Sequence, residues 1–323
     1  MLFCRLALIA SLVAIVPGVA AAAAQSYPSR PIRLVLSVGT GGVGDVSMRL
    51  AAQQMSRALG QTIVVDNRPS AGGVAAALAV VKANPDGYTI LQTGNAAAIS
   101  ASLFKKLPYD VQKDFVQVST VAIFELALVA TPNSGMGSLA DVVAFAKKHP
   151  GKLNIGTINV GSTQFLAAEL FKSMAGIEAQ VVPFKSNTLL ITALRGNELP
   201  VSFELLGPVL AHLKAGTLRA LAVGSERRFA GLPNVPTISE SGVPGYNVSS
   251  WTGMSVPAGT PRAIVERLSR EAIAATGAPE VRQPLLDMGI EARGSTPDET
   301  RKMMSAEIAK WRGVIERAGI ERQ

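Results

Sequence analysis

The chain of 323 residues carries 31 basic and 23 acidic residues, a net charge of +8, and only one cysteine, Cys4. The basic residues are spread without a run, which favours attraction of small anions over binding of a nucleic-acid backbone. Neither histidine, His149 or His212, has a cysteine or carboxylate at metal-ligand spacing. The composition therefore argues against disulfides, a metal site and a Cys–His nucleophile, and the length suggests two domains.

The first 24 residues predict a secretory signal peptide. Arg5 precedes an apolar run at residues 6–16, Pro17-Gly18 interrupts any helix, and Ala22-Ala23-Ala24 forms an A-x-A cleavage site. The alternative is a membrane anchor, since residues 6–24 are nearly long enough to cross a bilayer. The proline and the alanine-rich end disfavour an anchor. We therefore expect an exported protein that is cleaved after residue 24, to within about two residues.

The segment after the first predicted strand has the pattern of a dinucleotide-binding turn. Gly39, Gly41 and Gly44 spell G-x-G-x-x-G between an apolar run at 32–36 and a helical pattern. Asp66 follows the next strand, about 20 residues beyond the last glycine, where such folds keep a ribose-binding carboxylate. An exported NAD-linked oxidoreductase is therefore one hypothesis. Export argues against it, because soluble NAD pools are cytoplasmic and the leader lacks a twin-arginine signal.

Beyond residue 66, predicted strands and helices keep alternating, which is typical of an α/β fold. Strands are predicted at residues 90–93, 126–130, 153–156, 181–184, 201–203 and 218–223. Helix starts are predicted at Ser138, Thr260 and Thr296, since a hydroxyl before a first-turn proline or acidic residue is typical of a helix cap. The segment 232–246, rich in proline and glycine, is predicted as a crossover or hinge.

Several short motifs occur in a fixed order after the leader. They are residues 67–73 (NRPSAGG), 85–89 (PDGYT), 106–110 (KLPYD), 113–115 (KDF), 167–171 (AAELF), 218–223 (LRALAV) and 257–261 (PAGTP). In their order and spacing, the chain resembles the substrate-binding proteins of tripartite tricarboxylate transporters, the Bug-type receptors. The resemblance extends over nearly the whole chain after the leader, so it is more specific than any single motif.

The resemblance implies a periplasmic solute receptor of a Gram-negative bacterium, with no enzymatic activity and no cofactor. It implies a two-domain α/β fold like that of periplasmic binding proteins, with a hinge and a ligand cleft between the domains. The first domain is expected at residues 26–127 plus 252–323, and the second at 128–251. The expected partners are a small carboxylate and either the membrane subunits of a transporter or a sensor. The receptor is expected to be a monomer that binds no nucleic acid.

In this family, main-chain N–H groups, hydroxyls and ordered water hold the carboxylate of the ligand. For the first domain the resemblance implies contacts from the loop after the first strand and from the end of the third: Val38, Gly39, Thr40, Gly41, Gly42, Thr93 and Gly94. Glycines let backbone N–H groups approach an anion, and a helix N terminus adds partial positive charge. Asp45 is predicted as the helix N-cap rather than a ligand contact. Prolines are usual where this chain has residues 37–40 (SVGT), which leaves its preferred ligand open.

For the second domain the resemblance implies contacts from Gly161, Ser162, Thr163, Lys185 and Glu204. Ser162 and Thr163 lie at a predicted helix N terminus, where one of them is expected to cap the helix. Whether the other contacts the ligand in the cleft stays open. Ser162 also lacks the G-x-S-x-G frame of a hydrolase nucleophile. Lys185 either pairs with a distal carboxylate or stays in solvent. Glu204 stands where the family usually has Asp, and it either binds a cationic ligand group or orders the hinge.

Overall fold

The computed structural model describes residues 27–323, so the predicted signal peptide and its cleavage site lie outside the described residues. The strands are β1 (Ile32–Leu36), β2 (Ile63–Asn67), β3 (Thr89–Gly94), β4 (Phe115–Ala130), β5 (Leu153–Ile158), β6 (Ala179–Phe184), β7 (Val201–Leu205), β8 (Arg219–Val223), β9 (Ser249–Pro257) and β10 (Ile290–Ala292). The helices are α1 (Val43–Leu59), α2 (Val74–Val81), α3 (Asn95–Leu103), α4 (Leu139–Lys148), α5 (Thr163–Ala175), α6 (Asn187–Arg195), α7 (Leu206–Lys214), α8 (Arg262–Gly277), α9 (Pro279–Asp287) and α10 (Pro297–Arg317).

The ten strands form one sheet in which the long strand β4 is shared by two halves. The order is β2-β1-β3-β9-β4-β7-β5-β6, and β8 and β10 also pair with β4. Residues 115–125 of β4 pair with β9, whereas residues 126–130 pair with β7 and β8. We call the half built on β1, β2, β3, β9 and β10 the first lobe and the half built on β5 to β8 the second lobe. The domain boundaries given above stay a prediction.

The core of the first lobe forms because its helices bury one apolar face against the sheet. Met48 and Met55 of α1 are fully buried and pack with Leu34 and Ile90 of the sheet. Their spacing is that of one helical face. Removing such side chains from water is the main driving force for folding, at about 1.5–3 kcal/mol for each large apolar side chain.

The C-terminal helix α10 packs against elements of both lobes. It contacts α3 in the first lobe, α5 in the second and the shared strand β4. Its Trp311 is fully buried, and the indole Nε1–H donates to Oδ1 of Asn95 at 2.8 Å. The C-terminal helix therefore connects the two lobes.

The predicted alternation of strands and helices is confirmed, with differences at three strands. Strand β4 begins at Phe115, eleven residues before the predicted start, and neither β9 nor the short β10 was predicted. Strands β4 and β9 are buried along nearly their whole length. Burial on both faces removes the alternation of apolar and polar residues by which a strand is recognised.

The predicted helix caps are confirmed at two of three positions. Ser138 and Thr296 each form a capping box with the acidic residue three positions on. The prediction for Thr260 was wrong: its hydroxyl donates to the carbonyl of Pro257 at 2.7 Å, and α8 begins at Arg262 without a side-chain cap. A turn that bonds the hydroxyl internally competes with capping.

Candidate functional site

A cavity of about 190 Å³ lies where β1 and β3 end and the helices that follow them begin. From the β1–α1 connection it is lined by Ser37, Val38, Val43 and Gly44, and from the β3–α3 connection by residues 92–97. Leu205 reaches it from the second lobe. Ligands of open α/β folds bind outside the carboxyl ends of the strands, which is the position of this cavity.

No charged side chain lines the cavity within the part of the chain that the structure describes. Most of the wall is apolar and comes from Ala77, Leu91, Val111, Phe115, Phe124 and Leu205. An anion in this space must therefore be stabilised by backbone dipoles and neutral donors, since no lysine or arginine is available in the lining.

Two helices present uncapped N termini to the cavity. Gly42 precedes α1 and Gly94 precedes α3, and neither helix has a side-chain cap in the described structure. The first-turn residues Val43-Gly44 of α1 and residues 95–97 of α3 line the cavity. The first N–H groups of a helix have no intrahelical partner, and the helix end carries about half a positive charge. Together these two helix ends form a candidate anion site.

Serine hydroxyls cap several helices of the second lobe, in contrast to α1 and α3. The Oγ atoms of Ser138, Ser162 and Ser186 accept hydrogen bonds from the first turns of α4, α5 and α6. Those caps satisfy donors that would otherwise be free. Helices α2, α7, α8 and α9 also lack a side-chain cap, but the first three residues of those helices do not line the cavity.

The polar side chains at the base of the cavity mainly bond one another. Gln92 accepts from the backbone N–H of Ser37 at 3.1 Å and donates to Oγ1 of Thr252 at 3.0 Å. Thr252 in turn donates to the carbonyl of Thr93 at 3.3 Å. These bonds tie the ends of β1, β3 and β9 together, and they hold the two helix N termini in place.

Trp251 is the exception among these polar groups. The residue lines the cavity and is only 2 % exposed. Its Nε1–H has no hydrogen-bond partner in the described structure. A buried donor without a partner costs free energy. Because this nitrogen is itself buried, a ligand oxygen in the cavity does not reach it without a rearrangement.

The residues predicted as ligand contacts in the first lobe divide into two groups. Val38, Thr93 and Gly94 line the cavity. A side chain at Gly94 would collide with the main-chain oxygen of Trp251, so glycine is required for β3 to approach β9 this closely. Gly39, Thr40, Gly41 and Gly42 form the exposed loop before α1 and do not line the cavity.

The interpretation of Asp45 as a helix N-cap was wrong, although its role is structural. Asp45 is the third residue of α1, and its buried carboxylate accepts from the backbone N–H of Gly41 at 2.9 Å. It also accepts from Arg49 and Asn67. The carboxylate therefore holds the exposed loop against the helix from within its first turn.

The predicted contacts of the second lobe lie outside the residues that line the cavity. Ser162 caps α5: its Oγ accepts from the N–H of Phe165 at 3.1 Å and donates to the carbonyl of Ile158 at 2.6 Å. Thr163 faces the first lobe, and its Oγ1 accepts from Nδ2 of Asn95 at 2.7 Å. Gly161 packs so closely on Leu103 that a Cβ atom would overlap that side chain. These contacts join the lobes beside the cavity.

Lys185 and Glu204 have contrasting environments. Lys185 is exposed and lies away from the cavity lining. Glu204 is fully buried; its Oε1 accepts from Nε2 of Gln164 at 2.9 Å and from the N–H of Leu205 at 2.7 Å. Its Oε2 has no partner among residues 27–323. Burial raises the pKa of Glu204 to about 7.

The acidic residue of the dinucleotide hypothesis is bonded to two arginines. The carboxylate of Asp66 accepts from Arg33 and from Arg68 Nε, the latter at 3.0 Å. The hydrogen bond from Arg33 is the main reason that the pKa of Asp66 lies below its ordinary value. The carboxylate to which the dinucleotide hypothesis assigns ribose binding therefore forms ion pairs with Arg33 and Arg68 at the edge of the sheet.

The sequence analysis missed several lining residues, among them Gln92, Asn95, Trp251 and Thr252. The last two lie on β9, the unpredicted strand that pairs with the end of β3. Recognising residues 249–257 as a strand would have placed Trp251 beside Gly94. Among the described residues, no group of three or more His, Cys, Asp and Glu side chains is placed to hold a metal ion.

Comparison with known proteins identifies the family. A match to the family described as "Tripartite tricarboxylate transporter family receptor" covers residues 47–320. The chain belongs to this family. It is 35% identical to protein BugT of Bordetella pertussis over 305 residues, which are 94% of each chain. The family is one of periplasmic solute-binding receptors and not of enzymes, so the resemblance stated above is confirmed.

Solved structures agree with this assignment. The chain is similar to Rpa4515 of R. palustris with adipate, at 34% identity and a TM-score of 0.77, covering 91% of this chain and 99% of that one. It is also similar to MatC from Rhodopseudomonas palustris with bound malate, at 28% identity and a TM-score of 0.73, covering 90% and 100%. These neighbours are two-domain periplasmic binding proteins, which confirms the predicted fold class. Between residues 27 and 323, no helix is long and apolar enough to cross a membrane.

Proposed function

We propose that this chain is a periplasmic receptor that captures a small organic acid in the cavity between β1, β3 and the second lobe. The captured acid is passed to the membrane subunits of a transporter or reported to a sensor. Export by the predicted signal peptide brings the receptor to the periplasm. The protein binds its ligand and performs no chemistry on it.

The observation that carries this proposal is the meeting of two uncapped helix N termini at a cavity whose lining has no charged side chain. Such helix ends bind anions through backbone N–H groups. Gln92 and Thr252, whose hydrogen bonds are internal, keep these ends fixed before a ligand arrives. Preorganisation of this kind lowers the free-energy cost of binding. The acids bound by Rpa4515 and MatC support the same ligand class.

The contacts between the lobes support capture by closure. Asn95 lines the cavity from the first lobe and bonds Thr163 of the second. Leu205 of the second lobe covers the cavity directly. Opening the lobes would break these contacts and give the acid a path to the helix ends. Hinge closure around a ligand is a common mode of periplasmic receptors.

The test is a thermal-shift and calorimetric screen of organic acids against the purified protein, with the amide of each acid as its neutral control. A ligand at a hundredfold excess over its Kd adds about 2.7 kcal/mol to the free energy of unfolding, which raises the melting temperature by several degrees. At least one acid should bind and its amide should not. If no acid binds, or if NAD or NADH shifts the melting temperature and acids do not, the proposal fails.

A further inference from the structure

We infer that the acid held in this cavity is a monocarboxylate whose remaining atoms are apolar, about the size of benzoate or hexanoate. This inference rests on the proposed function and names the ligand class within it. Two observations carry it: the absence of charged side chains in the described lining and the volume of the cavity.

The site offers little compensation for more than one carboxylate. The first turns of α1 and α3 line the cavity and each supply about half a positive charge, whereas at the N termini of α2 and α7 only the N-cap residues, Gly73 and Leu205, belong to the lining. A second carboxylate would enter a wall made of residues such as Leu91, Phe115 and Leu205. An unpaired buried ion is strongly disfavoured. The one lysine considered as a distal partner, Lys185, is exposed and outside the lining.

The volume of the cavity favours a compact apolar body. A cavity of about 150 Å³ with apolar walls accepts a benzene ring, and this cavity measures about 190 Å³. The remaining space suits a carboxylate beside a six-carbon ring or chain. Burying such a body gains about ten- to hundredfold in Kd relative to leaving it exposed. Apolar ligand atoms in contact with these walls therefore increase the binding affinity, and additional charged groups decrease it.

The experiment compares three ligands with the same carbon chain by isothermal titration calorimetry. Hexanoate has one carboxylate, adipate has two, and hexanamide has none. We expect hexanoate to bind at least tenfold more tightly than adipate and hexanamide not to bind; benzoate against terephthalate repeats the comparison with a ring. Adipate binding as tightly as hexanoate overturns this inference while the proposed function stands. Failure of every acid overturns the proposed function itself.

A charged variant of the cavity wall provides a second test of this inference. Leu205→Lys adds a positive charge to the lining, so the preference for hexanoate over adipate should fall by about tenfold or reverse. Leu189→Lys is the control, because Leu189 is 53% exposed on α6 and lies outside the lining. It should leave the preference unchanged. Circular dichroism verifies that both variants fold. A folded Leu205→Lys protein with unchanged preference contradicts the charge argument.

Discussion

At the scale of single residues, the two tryptophans differ in how their buried indole groups are bonded. The Nε1–H of Trp251 has no partner among residues 27–323, whereas that of Trp311 donates to Oδ1 of Asn95 at 2.8 Å. Both side chains are buried. The same substitution at the two positions therefore removes an internal hydrogen bond in only one case.

We predict that Trp311→Phe lowers the free energy of unfolding by about 1–3 kcal/mol more than Trp251→Phe does, since only the former leaves Oδ1 of Asn95 buried without its donor. Both variants lose the same atoms from a buried side chain, so the difference between them reports the hydrogen bond. Urea unfolding of both variants measures this effect. Equal destabilisation would show that the bond to Asn95 contributes nothing to stability.

Glu204 predicts a dependence of stability on pH. Burial raises its pKa from 4.5 to about 7 in the folded protein, so the folded state binds a proton more tightly than the unfolded state. Stability is therefore highest below the unfolded pKa and falls as the pH rises through about 7. Glu204→Gln removes this titration. In urea unfolding, the wild type should lose more stability between pH 5 and pH 8 than Glu204→Gln does.

The matched control for Glu204 is Glu240→Gln. Hydrogen bonds from Thr237 and Arg228 lower the pKa of Glu240, so it stays ionised throughout this pH range. Its substitution should shift stability by the same amount at both pH values. If Glu204→Gln retains the full difference between pH 5 and pH 8, another group is responsible for the pH dependence.

At the scale of elements, the first turn of α1 tests the role of the helix ends. A Cβ atom at Gly44 would lie 3.1 Å from Nε2 of Gln92, inside the hydrogen-bonded base of the cavity. Gly44→Ala should weaken acid binding by about tenfold or more. Replacing glycine by alanine within a helix favours the helix by up to about 1 kcal/mol, so the fold should persist.

Gly313→Ala is the control for Gly44→Ala, because Gly313 lies within α10 and its Cβ would meet only the end of the Arg317 side chain. This variant should retain wild-type affinity for the acid. Calorimetry with hexanoate compares the two variants, with circular dichroism to verify helix content. Equal affinities in both would remove the α1 terminus from the site.

The elements also show what the sequence could and could not predict. The loop from Val38 to Gly42 was predicted as a site element because glycines beside a helix start point to an anion site and because the family resemblance implies it, whereas Thr93 and Gly94 at the end of β3 came from the resemblance alone. Strand β9 was not predicted, since its mixture of small, polar and aromatic residues lacks a strand periodicity. Its place between β3 and β4 depends on pairing between segments more than 100 residues apart. Trp251 could not be placed at the cavity without that pairing.

At the scale of the whole molecule, the contacts between the lobes predict how closure and affinity are coupled. Thr163→Val removes the acceptor for Nδ2 of Asn95. We expect hexanoate to reduce the radius of gyration of the wild type in small-angle scattering, and the variant to bind about five- to tenfold more weakly. Thr188→Val on the exposed face of α6 is the control. An unchanged scattering profile at saturating ligand would contradict closure.

The most direct test of the central claim is a crystal structure of the protein with hexanoate. The account predicts density for one acid in the cavity, with its carboxylate oxygens within about 3.2 Å of backbone nitrogens in the first turns of α1 and α3. Its carbon chain should lie against Leu91, Phe115 and Leu205. An acid bound instead beside Lys185 and Ser162, with the cavity containing only water, would contradict the account.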